Sequence, residues 1–592
     1  MAHLMLSQAD HNPPGLSAVR RLSRVWPYLF LAGLTWVAHF WLSSSFGLYE
    51  DDYTLIPAAI EATPEGLARS AATYFLELRG HGRTIQGVGT MFLSRLGWSL
   101  GGLQAIYVLG FTMVAANGLL SYGLLRRLTG PLPAFFGGLA FTLYPSDTTH
   151  AFLTHSLGLQ PSITFFLLGA HAYLSGKRWA PFAAGILILA TYETVYPLLL
   201  AVPLLQQPWR RGTLRGLARN GLGLLGLFAV VAVVRSLLGD SRVANLDLGQ
   251  AILTAAGHSL VGPWVGFGGY FYKGVKLAAT LSPGVLAAIV AGAGVVGWTL
   301  ARLYPAAMPT QLPNTLSDLA LALRSFVRPS AKRADGRYLQ MVGPIRLTLL
   351  GLILLVLAYP LTLTTNPIAL VSRGTRVHFA GVIGAGLLWA GVAAITLKLA
   401  TRRVGVFMVL SSILVVLGLS LAYAVTVQQD YARAWQLQRT FWRDVLGAAA
   451  DLEEGTVVLV GGEGIEDSLQ IGANTWAVPM VMPQIAHFPD DWSQPPLVFR
   501  LHADWRSTLW QGGDVLTLSG QSVLGPPAMF SVVDPDDVIV VRINADGSTD
   551  RLEELAIGSQ VFGLKAQGSP ALPALEKSAL WHLLLDSPTD LE

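Results

Sequence analysis

Long apolar runs recur from about residue 25 to about residue 427, separated by short polar stretches, and then give way to a mixed alternation of apolar and polar positions. With roughly 20 apolar residues needed per crossing, and Lys and Arg in short loops marking the inner face, spans are predicted at 25–48, 103–125, 132–145, 157–174, 222–238, 285–302, 347–364, 379–397 and 404–427. The run 179–205 poses a choice. A single crossing there would put Arg210, Arg211, Arg215 and Arg219 on the outer face, against the basic bias, whereas a hairpin turning near Thr191-Tyr192-Glu193 removes the conflict. A helix from Trp179 to Tyr192 would reach only about 21 Å, short of the ~30 Å hydrocarbon core. The turn is therefore expected to line a cavity below the outer surface. This pattern gives about eleven crossings, with residues 1–24 cytoplasmic and the polar C-terminal part outside. The inner connection 304–344, with Arg324, Arg328, Lys332, Arg333 and Arg337, agrees with that orientation.

Beyond Val427 the pattern predicts a helix at 431–452 and strands at 456–460, 515–518 and 538–543, with turn chemistry at Asn544-Ala545-Asp546-Gly547. The expectation is a small extracytoplasmic α/β domain over 428–592, following a transmembrane domain over 25–427. Within the latter, the first outer loop, 49–102, places Leu55, Ile56, Ala59, Ile60, Leu67, Ala71, Tyr74, Phe75 and Leu78 at near-helical spacing, interrupted by Pro57 and Pro64. Such a pattern suits amphipathic helices lying along the interface. The stretch 240–276 is predicted as an outer loop, with the aromatic residues of 266–272 as interface anchors.

Composition sharpens the class. Of 592 residues, 52% are hydrophobic and 13% charged, and the mean hydropathy is +0.50, which excludes an ordinary soluble assembly and indicates a polytopic α-helical membrane protein. A net charge of +4 provides no nucleic-acid footprint, and the absence of cysteine excludes disulfides and thiolate metal sites. Arg20, Arg21 and Arg24 precede an apolar run too long for a usual signal peptide, so an uncleaved first span is expected.

Candidate chemistry begins where that first run ends, at Glu50-Asp51-Asp52. Charges so close to hydrocarbon are costly and often mark a site. Asp147, His150 and His155 fall on the same predicted side, Glu193 falls at the hairpin, and Arg235, Arg373, Arg376 and His378 lie at outer span ends. Arginine's fork suits bidentate phosphate contacts, although snorkelling to lipid headgroups is the competing use of such residues. Likewise Asp147 and His150 sit in a turn, where capping competes with catalysis. The acidic and histidine spacings make no tight metal motif. A divalent cation, Mg or Mn, held by Asp52, Asp147 and Glu193 and a metal-free site are both open. Gly461-Gly462-Glu463-Gly464 follows a strand but lacks dinucleotide-loop spacing and is discounted.

The basic inner terminus, the acidic pair Asp51-Asp52 in the first outer loop, the interfacial helices, the many uneven spans and the C-terminal outer domain together resemble the GT-C glycosyltransferases. These include the protein O-mannosyltransferases, the aminoarabinose transferases and the oligosaccharyltransferase catalytic subunits. The resemblance covers roughly residues 20–430 and is more specific in layout than in motif. It implies transfer of a sugar from a polyprenyl-phosphate donor to a hydroxyl of a glycan, lipid or protein acceptor at the outer face of the cell membrane. It places catalysis on Asp51 or Asp52, with Asp51 preferred as base and Asp52 orienting the acceptor or holding a metal. The segment Arg373-Gly374-Thr375-Arg376 resembles the late outer arginine segment that reaches the lipid phosphate. Two other classes stay open: a transporter or flippase for lipid-linked glycans, whose expected inverted repeat is not visible, and a noncatalytic membrane assembly subunit.

Overall fold

The structure is a computed structural model that describes residues 14–76, 82–206, 209, 211–238, 240, 247–303, 336–400, 402–471, 478–501, 509–512, 515–519, 530–557, 560–571 and 575–586. Glu77, Leu78, Arg210, Arg324, Arg328, Lys332 and Arg333 lie outside the described residues. Among those described, six helices are long and apolar enough to cross a membrane: Val25–Ser45, Thr84–Leu128, Gly212–Leu237, Pro283–Arg302, Gly381–Leu399 and Arg403–Ala448. Shorter apolar helices run Pro131–Thr142, Ala180–Leu189, Glu193–Leu205 and Met341–Leu357. Their outward residues, among them Leu222, Val230, Val295 and Met408, are exposed apolar side chains, as lipid-facing surfaces require.

The run 179–205 does reverse, at Ala190–Tyr192, between the helix Ala180–Leu189 and a stretch of 3-10 turns, Glu193–Leu205. Pro197 and Pro203 lie within that second limb, where their missing N–H groups disfavour a regular α-helix. The helix Gly336–Leu357 stops short of Pro360, since the residue before a proline is pushed out of the helical region.

Three expectations need correction. The predicted loop 240–276 contains the helix Leu248–Ala278. Its glycines lower local hydropathy and read as a loop, yet they are packing surface. A Cβ on Gly262 or Gly266 would collide with Tyr359, and one on Gly269 with Ser146. The aromatic residues of 266–272 accordingly turn partly inward, with the Tyr270 hydroxyl bonded to the Ala140 carbonyl and both Phe267 and Phe271 against Trp389. Second, the span 404–427 and the helix 431–452 form one helix, Arg403–Ala448, of 46 residues and about 69 Å. Neither Gly nor Pro occurs between Gly418 and Gly447 to break it. Third, the span expected to begin at residue 103 is preceded by helix from Thr84, with a sharp break at Gly101-Gly102. Gly102 has φ +65, and Gly97 lies so close to the Ile106 backbone that a Cβ would meet it at 2.8 Å.

The C-terminal region carries a four-stranded sheet in the order Leu497–Arg500, Val457–Gly461, Val538–Ile543, Thr549–Leu552. The first three strands are parallel and the last is antiparallel, with Val457 opposite both Leu497 and Val538 and Val540 opposite Leu552. The predicted strand at 515–518 belongs instead to a separate antiparallel ribbon with Leu509–Gly512 and Phe530–Val533. Alternation along the sheet sorts its two faces. Val458, Val460, Ile539 and Val541 share a core with Trp442, Leu446 and Met482, while Val457, Leu459, Val538 and Val540 pack with Leu555 and Phe562. The former core also contains Tyr49, Tyr53 and Phe152. Continuous packing thus joins the sheet to the acidic loop.

Candidate active site

The acidic loop is a 3-10 turn, Glu50–Thr54, capped by Tyr49. Buried tyrosines hold it. Tyr49 donates its hydroxyl to the Tyr431 carbonyl at 2.9 Å, Tyr53 donates to Gln438 Oε1 at 3.0 Å, and Tyr107 donates to the Gly47 carbonyl at 2.7 Å. Two of those partners lie on the helix Arg403–Ala448, so that helix sets the height of the loop. Within the turn the three acids take three roles. Asp52 is fully buried, and its carboxylate accepts from the Tyr49 N–H, the Leu153 N–H, the Thr154 N–H and the Thr154 hydroxyl. Burial pushes its carboxyl up to about 7, while those donors pull the other way. Asp52 therefore staples the loop to the segment Leu153–Ser156 and has no oxygen facing an open site.

Asp51 points the other way, into a partly exposed space. Its Oδ1 accepts from Arg373 Nη1 at 2.8 Å and its Oδ2 from Arg376 Nη1 at 3.0 Å. Glu50, with φ +40, turns back so that its Oε2 lies 3.3 Å from Arg373 Nε. Acids and arginines more than 300 residues apart in sequence are thus one cluster. Burial alone would raise the Asp51 carboxyl; the neighbouring His155 and the charges of Arg376 and Arg373 overturn this and hold it well below the ordinary carboxylate range.

The arginines sit on a second 3-10 turn, Arg373–His378, entered through Ser372 at φ +62. The turn is held from beneath. The Thr375 hydroxyl accepts from the Thr148 N–H and bonds the Ser372 carbonyl, and Gln470 Oε1 accepts from both the Thr148 hydroxyl at 2.7 Å and the Ser372 N–H at 3.0 Å. Asp430 in turn accepts from the Gln470 N–H at 2.7 Å. Gln470, from the C-terminal region, was outside every sequence expectation, because a single glutamine in a polar stretch carries no signal.

His155 closes the cluster from the side. Its Nε2 is 3.5 Å from Asp51 Oδ2, its side chain is 4% exposed, and its ring stacks on Phe152. Among the described residues Nδ1 has no hydrogen-bond partner, and Nε2 has only this long contact with Asp51.

The other candidates are held by partners of their own. His378 is fully buried, with Nδ1 against the Tyr359 hydroxyl and Nε2 against the Ala369 carbonyl, both at 3.0 Å. It anchors the arginine turn and faces no open space. Asp147 Oδ1 accepts from the Thr149 N–H and hydroxyl, a local capping arrangement, while His150 stacks on His39. Both line small cavities of about 20 Å³ with Tyr144, each room for about one water. Glu193 forms a fork with Arg83, with Arg83 Nε 3.0 Å from Oε2, and Arg235 pairs with Asp240 at 2.9 Å. Arg83 was also unforeseen; its partner lies 110 residues away. Arg235 is thus paired with Asp240, whereas Arg373 and Arg376 are paired with Asp51. The three carboxylates proposed for a metal have separate partners: Asp52 the Tyr49, Leu153 and Thr154 donors, Asp147 the Thr149 donors, and Glu193 the Arg83 guanidinium. Among the described residues, no three His, Asp or Glu side chains are grouped to hold an ion.

No family model and no curated protein matches the sequence. A crystal structure of ArnT from Cupriavidus metallidurans bound to undecaprenyl phosphate is similar at 16% identity and a TM-score of 0.32, covering 76% of this chain and 84% of that one.

Proposed function

We propose that the protein is a membrane glycosyltransferase that moves a sugar from a polyprenyl-phosphate carrier to an acceptor hydroxyl at the extracytoplasmic face of the cell membrane. The observation that carries this reading is Asp51 held between Arg373 and Arg376, in a chain whose described residues include six helices long and apolar enough to cross a membrane. Two guanidiniums side by side suit a phosphate, and a carboxylate in the same space suits a hydroxyl that must lose its proton. In the transfer step the acceptor oxygen bonds to the anomeric carbon as the carbon–oxygen bond to the phosphate breaks. The electron pair stays on the phosphate, where Arg373 and Arg376 meet the growing charge, while Asp51 takes the hydroxyl proton. Asp52 acts indirectly, by fixing the turn. The Arg83–Glu193 and Arg235–Asp240 pairs serve the packing of the bundle, and no step requires a metal.

The test is incubation of the purified protein in lipid nanodiscs or vesicles with labelled polyprenyl-phosphate sugars and a panel of glycan, lipid and protein acceptors. A new glycosidic product together with released polyprenyl phosphate is expected. Vectorial movement of the donor across a vesicle membrane without product would replace this reading with a transporter.

A further inference from the structure

We propose that His155 is the final proton acceptor of the transfer step, receiving from Asp51 the proton that the acceptor hydroxyl gives up; this inference rests on the transferase reading above. Asp51 faces the open space and can meet a hydroxyl, but two arginines at 2.8 and 3.0 Å favour its ionised form. A proton placed on it is poorly kept. The group next to it is an imidazole whose Nε2 lies 3.5 Å from the same Oδ2 that Arg376 contacts. Nδ1 has no hydrogen-bond partner among the described residues, Nε2 has only this long contact with Asp51, and the side chain is 4% exposed. A buried ring so sparsely partnered is costly, and its place beside a reacting carboxylate calls for a role.

The environment supports a neutral imidazole that can become charged for part of a cycle. Burial lowers the basicity of His155, Asp51 and Asp147 raise it, and Arg376 lowers it. His150 is a further titratable neighbour. When Asp51 receives the hydroxyl proton, Oδ2–H faces the free electron pair of Nε2. Transfer across that contact regenerates the carboxylate and leaves an imidazolium paired with it. Water then takes the proton from the imidazolium. No oxidant or further reactant is needed. The ring is held for this task by stacking on Phe152, centroid to centroid 4.8 Å, and by the segment Leu153–Ser156 that Asp52 caps.

The experiment is the pH dependence of kcat for sugar transfer by the full-length protein at saturating donor, compared with His155→Gln. A proton acceptor must be unprotonated before each turnover, so wild-type kcat should fall on the acid side through a group below the ordinary histidine value of 6.5. In the Gln variant that acid limb should vanish. Its plateau should lie about 100-fold lower or more, while KM for the donor stays constant, because the arginines are untouched. A Gln variant with wild-type kcat and an unchanged acid limb overturns the proposal and leaves the transferase reading standing. Absence of transfer by the wild type toward every donor and acceptor overturns both. Should that variant fail to fold, His155→Asn supplies the same comparison, and wild-type kcat with an unchanged acid limb in it overturns the proposal.

Discussion

Replacing Asp51 by Asn should strengthen donor binding while abolishing transfer, a combination that a damaged fold does not produce. Arg373 and Arg376 are each engaged by Asp51, at 2.8 and 3.0 Å. A lipid phosphate entering the cluster must displace the carboxylate or bind beside its charge, and either way Asp51 opposes it. The three side chains are 22 to 25% exposed, so solvent screens the contacts. They should be worth more than surface pairs, about 0.2–1 kcal/mol each, and less than well-buried charged hydrogen bonds, about 1.5–3 kcal/mol. Taking about 1 kcal/mol per contact, removal of the charge should tighten polyprenyl-phosphate binding by about 2 kcal/mol, roughly 30-fold. Loss of the proton-accepting group should lower kcat by about 100-fold or more. Titration of the lipid into both proteins in nanodiscs, at low and high salt, reads the first effect, and the gain should shrink as salt screens it. Weaker or unchanged binding by a folded Asn variant, or turnover near wild type, would refute this account of the cluster.

Further expectations concern the parts that hold the site. Asp52→Ala leaves three buried N–H groups without their acceptor and should lower stability by about 3 kcal/mol or more, read as the thermal midpoint; an unchanged midpoint would show that the staple is dispensable. Gln470→Ala frees Ser372 and Thr148 from their shared acceptor and should weaken donor binding by about 1 kcal/mol, some fivefold, with the fold intact; equal affinity would deny the C-terminal region a part in positioning the arginines. Arg83→Ala strands Glu193 and should destabilise by about 2–3 kcal/mol, less than for a fully buried pair because the side chains are 17 and 18% exposed. His378, lowered by burial to about 4, adds a pH term. The unfolded chain takes up its proton near 6.5 and the folded protein only near 4, so stability should fall as pH drops through that window, an effect that His378→Gln should reduce.

The six helices of spanning length among the described residues were legible because apolar runs of that length are demanded by hydrocarbon and leave a strong signal. Gly262, Gly266 and Gly269 show its limit. Glycine lowers hydropathy whether it loosens a loop or admits a tyrosine ring, and only the partner, Tyr359 or Ser146, decides which. At the site, charge beside hydrocarbon singled out Asp51, Arg373 and Arg376, and side preference put them on one face. Adjacent acids, however, have no sequence mark for direction. Asp51 and Asp52 look interchangeable until the turn sends one toward the arginines and the other onto the Leu153 and Thr154 amides. Arg235 and Glu193 were singled out as a cation at a span end and a carboxylate within an apolar run, and neither feature names a partner. Their partners, Asp240 and Arg83, satisfy them where they stand.

The central claim is that Arg373 and Arg376 receive a lipid phosphate beside Asp51. Its most direct test is the affinity of the protein for a polyprenyl phosphate against that for the corresponding uncharged polyprenol, in the wild type and in the Arg373→Ala/Arg376→Ala double variant. The wild type should bind the phosphate far more tightly than the alcohol, and the folded double variant should lose that preference. An undiminished preference for the phosphate in the double variant would contradict the account.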